Sequence, residues 1–272
     1  MSDALLQAVV VPSAPGSPHF EPFVRSLATE GETRLFVVSE EASGAGRRIQ
    51  AEPGDGFARR ANLGIAAARA EGFDRIFLFN DDAEVLPGCL EELSRTLDGT
   101  RIGIAGAQLL NWSEDTVQQA GIRVDTRTGR IHEIARRPSD RWERVDAVGG
   151  AAMAIDGRCW EQLGGFDERF TFYFEDIDFC LRAKQAGWGV VLCPRARVRH
   201  RGGGTRSRRS PEAAWHLGRS HALFVRGLAG GRLSRTVRLL WSGTFGLGWS
   251  ARTGGLAGMT SFAQGWNRGL RA

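Results

Sequence analysis

The stretch RIFLFNDDA, residues 75–83, is an apolar run that stops abruptly in two adjacent carboxylates, Asp81 and Asp82. Its aromatic and branched side chains predict a buried strand. In α/β proteins, ligands bind at the carboxyl edge of the sheet. Asn80, Asp81 and Asp82 are therefore predicted to lie at such an edge, where they could take part in binding.

Two neighbouring carboxylates repel each other unless a cation lies between them. Hard oxygen ligands on few side chains suit Mg²⁺ or Mn²⁺ carrying a phosphate-bearing substrate. The run therefore indicates a site for a metal ion and a diphosphate. A simple turn after the strand is the alternative, because Asn and Asp favour turns and Pro87 and Gly88 follow closely. From these residues alone both interpretations stay open.

The sequence around this run alternates between strand and helix patterns. Such an order predicts an α/β fold with a mainly parallel sheet and crossover helices. Beyond it, residues 111–144 are polar and rich in turns, which predicts a β-excursion with short strands near 122–124 and 131–134. The predicted strands are residues 8–11, 35–38, 75–79 and 102–106, and the predicted helices are residues 20–30, 56–70 and 87–97.

A second acidic pair, Glu175 and Asp176, follows an aromatic run at residues 170–174. Apolar residues at helical spacing come next and Gly187 closes the pattern, so the pair is predicted to begin a helix. Acidic residues are favoured at a helix N-terminus in any case. Helix capping is therefore an interpretation of this pair that stands beside a catalytic one.

The composition limits the classes of protein that the chain can represent. At 272 residues it can form one large α/β domain, or a domain with an appendage. Its four cysteines form no Cys-x-x-Cys pair, which argues against a zinc knuckle and predicts reduced thiols in a cytoplasmic chain. Neither a secretory signal nor a run of 18 apolar residues is found, so we expect neither export nor a spanning helix.

The net charge of +5 is unevenly distributed along the chain. From Arg195 to the end there are 15 arginines and a single acidic residue, Glu212, together with four tryptophans. This basic segment predicts either a helix that lies on a membrane surface or a helical layer packed on the main domain. Four of its arginines are candidates to bind a diphosphate or a lipid phosphate: Arg206, Arg208, Arg209 and Arg219.

Five ordered blocks of this sequence resemble the family 2 glycosyltransferases with the GT-A fold, particularly the bacterial rhamnosyltransferase-like members. The resemblance covers about residues 54 to 205. The matching blocks are GFARRANLGIAAA (56–68), FLFNDDAEVLPGCLEEL (77–93), VGGAAMAI (148–155), LGGFDERFTFYFEDIDFCLRAKQAGW (163–188) and VRHRGGGT (198–205).

The resemblance implies a GT-A type, Rossmann-like three-layer sandwich at residues 1–205. The composition beyond it predicts a basic, Trp-containing helical segment at residues 206–272. It implies an inverting, metal-dependent hexosyltransferase that moves a sugar from a nucleotide diphosphate sugar to an acceptor hydroxyl. The expected acceptor is a glycan or a lipid-linked molecule in cell-surface polysaccharide or glycolipid synthesis. The expected location is the cytoplasm, with possible peripheral association with the inner face of the membrane.

The same resemblance assigns roles to particular residues. Asp82 and His200 match the family's ligands to Mg²⁺ or Mn²⁺, although His200 alone would also fit a surface histidine in a basic loop. Asn80 and Asp81 match positions that contact the nucleoside ribose or flank the metal.

The remaining assignments concern the acceptor and the donor sugar. Asp176 matches the general base that takes the acceptor's proton, with Glu175 as the second candidate. Asn62 and Gly150 lie in matching blocks and are assigned to the donor site.

Two segments depart from the family's pattern. Residues 12–15 and 39–41 occupy the places that usually contact the nucleotide base, and both differ from the usual sequences. This leaves the nucleotide's identity open and raises the alternative of a catalytically weakened protein that binds nucleotide sugars. A nucleic-acid-binding function rests only on the basic segment, which has no recognition motif, so no nucleic-acid partner is expected.

Overall fold

The computed structural model describes residues 6–13, 16–41, 44–136, 138–139, 141–202, 210–228 and 231–272, without the side chains at 232–234. The predicted domain boundary at 205 and 206 lies outside these ranges, as do Gly203, Gly204 and the candidate phosphate ligands Arg206, Arg208 and Arg209.

The N-terminal part of the described chain alternates strands and helices as predicted. β1 lies between β2 and β4 and runs parallel to both, while β3 extends the sheet beyond β2, also in parallel. Its elements are β1 (Gln7–Pro12), α1 (Phe20–Leu27), β2 (Thr33–Ser39), β3 (Arg47–Gln50), α2 (Phe57–Ala70) and β4 (Arg75–Phe79).

The following part completes the sheet and adds a separate two-stranded hairpin, β8 with β9. Its elements are β5 (Ala83–Val85), α3 (Cys89–Leu97), β6 (Ile102–Asn111), β7 (Val117–Gln119), β8 (Ile122–Asp125), β9 (Arg130–Glu133), β10 (Glu143–Arg144), β11 (Ala152–Asp156), α4 (Gly157–Leu163), α5 (Glu175–Gln185) and β12 (Gly189–His200).

The ten-stranded sheet has the order β10, β12, β6, β11, β4, β1, β2, β3, with β5 paired to β12 and β7 to β6. β11 runs antiparallel between β4 and β6, whereas β6 and β12 are parallel. The mixed α/β fold with a mostly parallel central sheet confirms the predicted fold class.

Alternation along the strands explains why the sheet is covered on both faces. Val9 and Val11 belong to one buried cluster and Ala8 and Val10 to another, because successive side chains point to opposite faces. Helices α1 and α3 contribute to the first cluster, and α2 and α5 to the second. Two helical layers therefore enclose the sheet.

The C-terminal segment forms two helices, α6 (Pro211–Gly227) and α7 (Arg232–Arg271). Ser210 caps α6 by accepting a hydrogen bond from the Ala213 amide at 3.1 Å. α7 is kinked at Gly255, whose φ of 61° and ψ of −155° are non-helical. The two helices pack closely, since a Cβ at Gly265 would lie 1.9 Å from the Trp215 carbonyl oxygen. Within the described residues, neither helix is apolar over enough length to span a membrane.

Candidate active site

The acidic run lies where the sequence predicts it, directly after β4. The Ala83 amide donates to the Asn80 carbonyl at 3.3 Å, so residues 80–83 form a turn. Asp81 and Asp82 are nevertheless buried, with 7% and 6% of their surfaces exposed. Buried carboxylates are costly unless they are paired or bound to a cation. The turn and the binding site are therefore compatible in one structure.

His200 reaches the acidic run through an antiparallel pairing of β12 with β5. In this register His200 lies opposite Ala83, and the Arg201 amide donates to the Asp82 carbonyl at 3.2 Å. The His200 Nε2 atom lies 3.2 Å from Asp82 Oδ1, and His200 is itself buried. The structure thus brings together the two predicted metal ligands, which are far apart in the sequence.

Gln118, on β7, orients the imidazole of His200. The Gln118 Oε1 atom lies 2.9 Å from His200 Nδ1, and an amide oxygen can only accept. Nδ1 therefore carries a hydrogen, and Nε2 faces Asp82. Histidines that bind metals commonly donate their other ring N–H to an acceptor of this kind. Gln118 is not among the residues predicted from the sequence, because it lies in a polar excursion and no local motif marks it.

Asp82 and His200 fit a divalent cation as a pair. The His200 Nε2 and Asp82 Oδ1 atoms lie 3.2 Å apart and supply one imidazole nitrogen and one carboxylate oxygen, a donor set that would suit Mn²⁺ or Mg²⁺. No group of three or more His, Cys, Asp or Glu side chains that could hold a metal occurs among the described residues. Such an ion would therefore need further ligands from water or a phosphate-bearing substrate, which is usual for Mg²⁺ and phosphates.

A polar network extends from Asp81 towards residues 12–15 and 39–41, the two segments whose sequences differ from the family's pattern. The Ser13 hydroxyl donates to Asp81 Oδ2 at 2.9 Å, and Arg60 Nη1 donates to the Ser13 carbonyl at 3.0 Å. Arg60 also forms an ion pair with Glu40. The two segments that differ from the family's pattern therefore meet at one side of the acidic run.

The second acidic pair begins α5, as predicted. Asp176 Oδ2 accepts from the Gly150 amide and Oδ1 from the Ile177 amide, both at 2.8 Å. Burial nevertheless raises the pKa of Asp176, with these hydrogen bonds acting in the opposite direction. Burial, with the charge of Asp176 second, raises the pKa of Glu175 well above its usual range. A carboxylate with a raised pKa is a better proton acceptor.

One short segment connects the two acidic groups. The Gly150 amide binds Asp176, while the carbonyl of the next residue, Ala151, accepts from the Asn80 amide at 3.0 Å. A Cβ at Gly150 would lie 3.2 Å from the Phe57 ring, so the site is tightly packed there. The predicted base and the predicted metal ligands therefore flank the start of β11.

The loop that precedes Glu175 has an unusual backbone. Tyr173 and Phe174 have φ angles of 68° and 70°, which cost about 1–3 kcal/mol for each residue other than glycine. Such a conformation persists only where its surroundings hold it. Here the surroundings are the side chains of α6.

Three α6 residues hold this loop. His216 Nδ1 is hydrogen-bonded to the Thr171 hydroxyl at 3.0 Å, and the Ser220 hydroxyl donates to the Phe172 carbonyl at 2.6 Å. The His221 ring stacks on Phe174 with centroids 5.0 Å apart, and burial lowers the pKa of His221 to about 4. The neutral, stacked imidazole of His221 and the buried hydroxyl of Ser220 therefore hold the loop that leads into α5.

Asn62, on α2, makes hydrogen bonds to the turn that precedes α5. The Asn62 Oδ1 atom accepts a hydrogen bond from the Phe166 backbone amide at 2.8 Å. The Asn62 Nδ2 atom donates to the Phe166 carbonyl at 2.9 Å and to Glu168 Oε1 at 3.1 Å. These contacts hold the glycine turn before α5, so a donor-binding role for Asn62 stays a prediction. Arg219 donates to the Arg169 carbonyl at 2.6 Å, which commits part of its guanidinium to the protein.

Comparisons with known proteins agree with this architecture. Residues 8–219 match the family described as glycosyltransferase like family 2. The O-antigen biosynthesis protein RfbC of Myxococcus xanthus is 32% identical over 163 residues, which are 56% of this chain but 13% of RfbC. The N-acetylglucosaminyl-diphospho-decaprenol L-rhamnosyltransferase of Mycobacterium tuberculosis is 26% identical, over 72% of this chain and 76% of that protein.

Solved structures show the same fold at low sequence identity. GalNAc-T7 with UDP, GalNAc and Mn²⁺ has a TM-score of 0.60 at 15% identity, covering 74% of this chain and 44% of that one. S. aureus TarS 1–349 with UDP-GlcNAc has a TM-score of 0.57 at 11% identity, covering 91% of this chain and 74% of that one.

Proposed function

Because this chain belongs to glycosyltransferase like family 2, we propose that it transfers a sugar from a nucleoside diphosphate sugar to an acceptor hydroxyl with inversion at the anomeric carbon. One observation carries the proposal: a buried Asp82 and His200 pair lies on one side of the Gly150–Ala151 segment and a half-buried Asp176 on the other. This arrangement can separate a leaving diphosphate from an attacking hydroxyl.

Asp82 and His200 would hold Mn²⁺ or Mg²⁺. When bound, such a cation neutralises the charge that develops on a departing diphosphate. The imidazole favours Mn²⁺ over Mg²⁺, because Mg²⁺ prefers oxygen ligands alone. Asn80 and Asp81 would contact the donor's ribose, and the Ser13 hydroxyl holds Asp81 in place for that contact.

Asp176 would accept the proton of the acceptor hydroxyl as its oxygen attacks the anomeric carbon. The new carbon–oxygen bond forms on the face opposite the breaking bond to phosphate, so the configuration inverts and the nucleoside diphosphate leaves. Amide donors hold both carboxylate oxygens of Asp176, which orients the group, and burial raises its pKa. Glu175 remains the second candidate for this proton transfer.

The relatives' names guide the choice of acceptor and location. They include an O-antigen biosynthesis protein and an enzyme that acts on a decaprenol-linked sugar. We therefore place the acceptor among glycans or lipid-linked glycans of cell-surface polysaccharides, and the protein in the cytoplasm on the inner side of the membrane. Residues 1–205 would form the catalytic domain and residues 206–272 its helical, basic extension.

A nucleotide-sugar-binding protein without turnover is the second candidate. The ion pair of Arg60 with Glu40 favours it, because it involves one of the two segments that depart from the family's pattern. Base recognition would then differ from that of typical members.

A panel of nucleotide sugars separates the two candidates. A thermal-shift screen with and without Mn²⁺ identifies the donor, and donor hydrolysis or transfer is then measured for the wild type and Asp176→Asn. Loss of a general base should lower turnover about 10²- to 10⁴-fold while donor binding persists. Donor binding without any turnover in the wild type would instead establish the binding protein.

A further inference from the structure

Helix α7 carries an apolar surface that nothing in the described chain covers. Nine large apolar side chains lie exposed among the described residues, and seven of them belong to α7. Leu240 is 67% exposed, Phe245 56% and Trp241 52%. Isolated exposed leucines are ordinary, but a contiguous group of exposed tryptophan, phenylalanine and leucine marks an interaction surface.

The exposed residues form a continuous line along the helix. Five of them follow helical spacing before the kink at Gly255, and we call them the outer stripe: Val237, Leu240, Trp241, Phe245 and Trp249. A second face, about 100° around the helix from the outer stripe, is buried at every fourth residue, through Arg238, Ser242, Gly246 and Ser250. One face of α7 therefore packs against the rest of the protein, while the outer stripe presents exposed apolar side chains.

The buried face explains why α7 cannot turn its outer stripe inward. Arg238 donates to the Thr126 and Leu228 carbonyls at 3.2 and 2.9 Å, and the Ser242 hydroxyl donates to the Thr128 carbonyl at 3.2 Å. These contacts fix α7 on the turn of the β8–β9 hairpin and on the end of α6. The outer stripe consequently faces outward in the folded protein.

Positive charge accompanies the outer stripe. The Arg130 guanidinium lies 6.0 Å from the centroid of the Phe245 ring, and Arg235 and Arg252 are exposed on the same helix. Residues 213–272 contain no Asp or Glu. A second copy of this surface would bring arginines against arginines, whereas an anionic surface would complement them.

We propose that the outer stripe of α7 lies on the surface of an anionic lipid bilayer. Tryptophan and phenylalanine suit the boundary between headgroups and acyl chains, and arginines beside them attract anionic headgroups. Because the outer stripe runs along the helix axis, α7 would rest in the plane of the surface. This inference extends the proposed function but does not depend on sugar transfer.

Because of where α7 lies, attachment to a bilayer would also orient the predicted acceptor side of the protein. α7 packs on α6, and α6 holds the loop that leads to Glu175 and Asp176. Attachment through the outer stripe therefore fixes the orientation of the predicted acceptor side relative to the bilayer. A lipid-linked acceptor would be presented to the enzyme from the same surface.

The test is vesicle cosedimentation of the full chain without donor or acceptor. The probes are vesicles of phosphatidylcholine alone and of phosphatidylcholine with phosphatidylglycerol. We expect binding to the anionic vesicles, weakened by added salt, and at least a tenfold loss of that binding in the double variant Trp241→Glu, Phe245→Glu. The paired substitutions Thr260→Glu and Gln264→Glu are the matched control, because they add the same two charges at exposed sites on α7 outside the outer stripe.

Two controls keep the result interpretable. Circular dichroism and the melting temperature check that the double variant folds, and donor hydrolysis, which needs no lipid, checks that its active site is intact. Failure of sugar transfer alone would thus affect the proposed function and not this inference. Absence of wild-type binding to anionic vesicles, or equal binding by the double variant, would overturn the inference. So would a stable dimer that the double variant dissociates, with no vesicle binding.

Discussion

Gln118 shows how a residue outside every recognisable motif can control the candidate site. Its side-chain oxygen fixes the hydrogen of His200 on Nδ1 and leaves Nε2 towards Asp82. The sequence identifies His200 and Asp82 through their blocks, but a glutamine in a polar excursion carries no local signal. Only the pairing of β7 with β6 brings Gln118 next to the histidine.

Replacing Gln118 by leucine should weaken Mn²⁺ binding about 10- to 100-fold, because such acceptors orient a metal-bound histidine. Isothermal titration of Mn²⁺ into the protein with UDP measures the effect. Gln119→Leu, at the neighbouring position of β7, controls for damage to the strand. Unchanged affinity in Gln118→Leu would show that His200 needs no such partner.

At the scale of elements, the sequence predicted individual strands and helices far better than it predicted which strands pair with each other. The strand at 75–79 and the helix beginning at Glu175 were predicted correctly, because periodicity and capping are local signals. β5 has three residues, too few for a pattern, yet its antiparallel pairing with β12 places His200 beside Asp82. The insertion of β11 between β4 and β6 is equally non-local, and it connects the two acidic groups.

For the basic C-terminal segment, the sequence left open a helical layer on the main domain or a helix on a membrane surface. The first helix of this segment is α6. It packs on the loop at residues 171–174, where two residues have positive φ angles. Backbone strain there needs support from outside the loop. The helical layer is thus present, and it supports the entry to the predicted base.

Replacing Ser220 by alanine removes the hydrogen bond to the Phe172 carbonyl, which contributes about 1 kcal/mol. We expect kcat to fall roughly fivefold while the KM for the donor stays nearly constant, because the loop serves the acceptor side. Steady-state kinetics with the identified donor measure this split. Thr260→Ala, exposed on α7, is the control, and a rise in donor KM alone would contradict the assignment.

At the scale of the whole molecule, an ionised Glu175 lowers the stability of the fold. Its carboxylate is buried, its Oε2 atom has no hydrogen-bond partner among the described residues, and burial raises its pKa. A carboxyl group with a raised pKa in the folded state prefers to be protonated there. Folding stability therefore falls as the pH rises above the group's ordinary pKa, and Asp176 acts with the same sign.

Glu175→Gln should remove part of this penalty. At pH 8 we expect the variant to have a higher melting temperature than the wild type, and near pH 4 we expect little difference. Each kcal/mol gained in the free energy of unfolding should raise the melting temperature by about 2–4 °C. Differential scanning fluorimetry across this pH range makes the comparison, with Glu168→Gln as a control at the protein surface. A lower melting temperature at pH 8 would show that ionised Glu175 stabilises the fold.

The central claim is that Asp82 helps to hold the metal ion and that Asp176 does not. Its most direct test is a titration of Mn²⁺ into the protein in the presence of UDP, followed by electron paramagnetic resonance. The account predicts that Asp82→Asn weakens Mn²⁺ binding at least tenfold and that Asp176→Asn leaves it unchanged. Equal affinity in the wild type and Asp82→Asn, or a loss of affinity in Asp176→Asn, would contradict it.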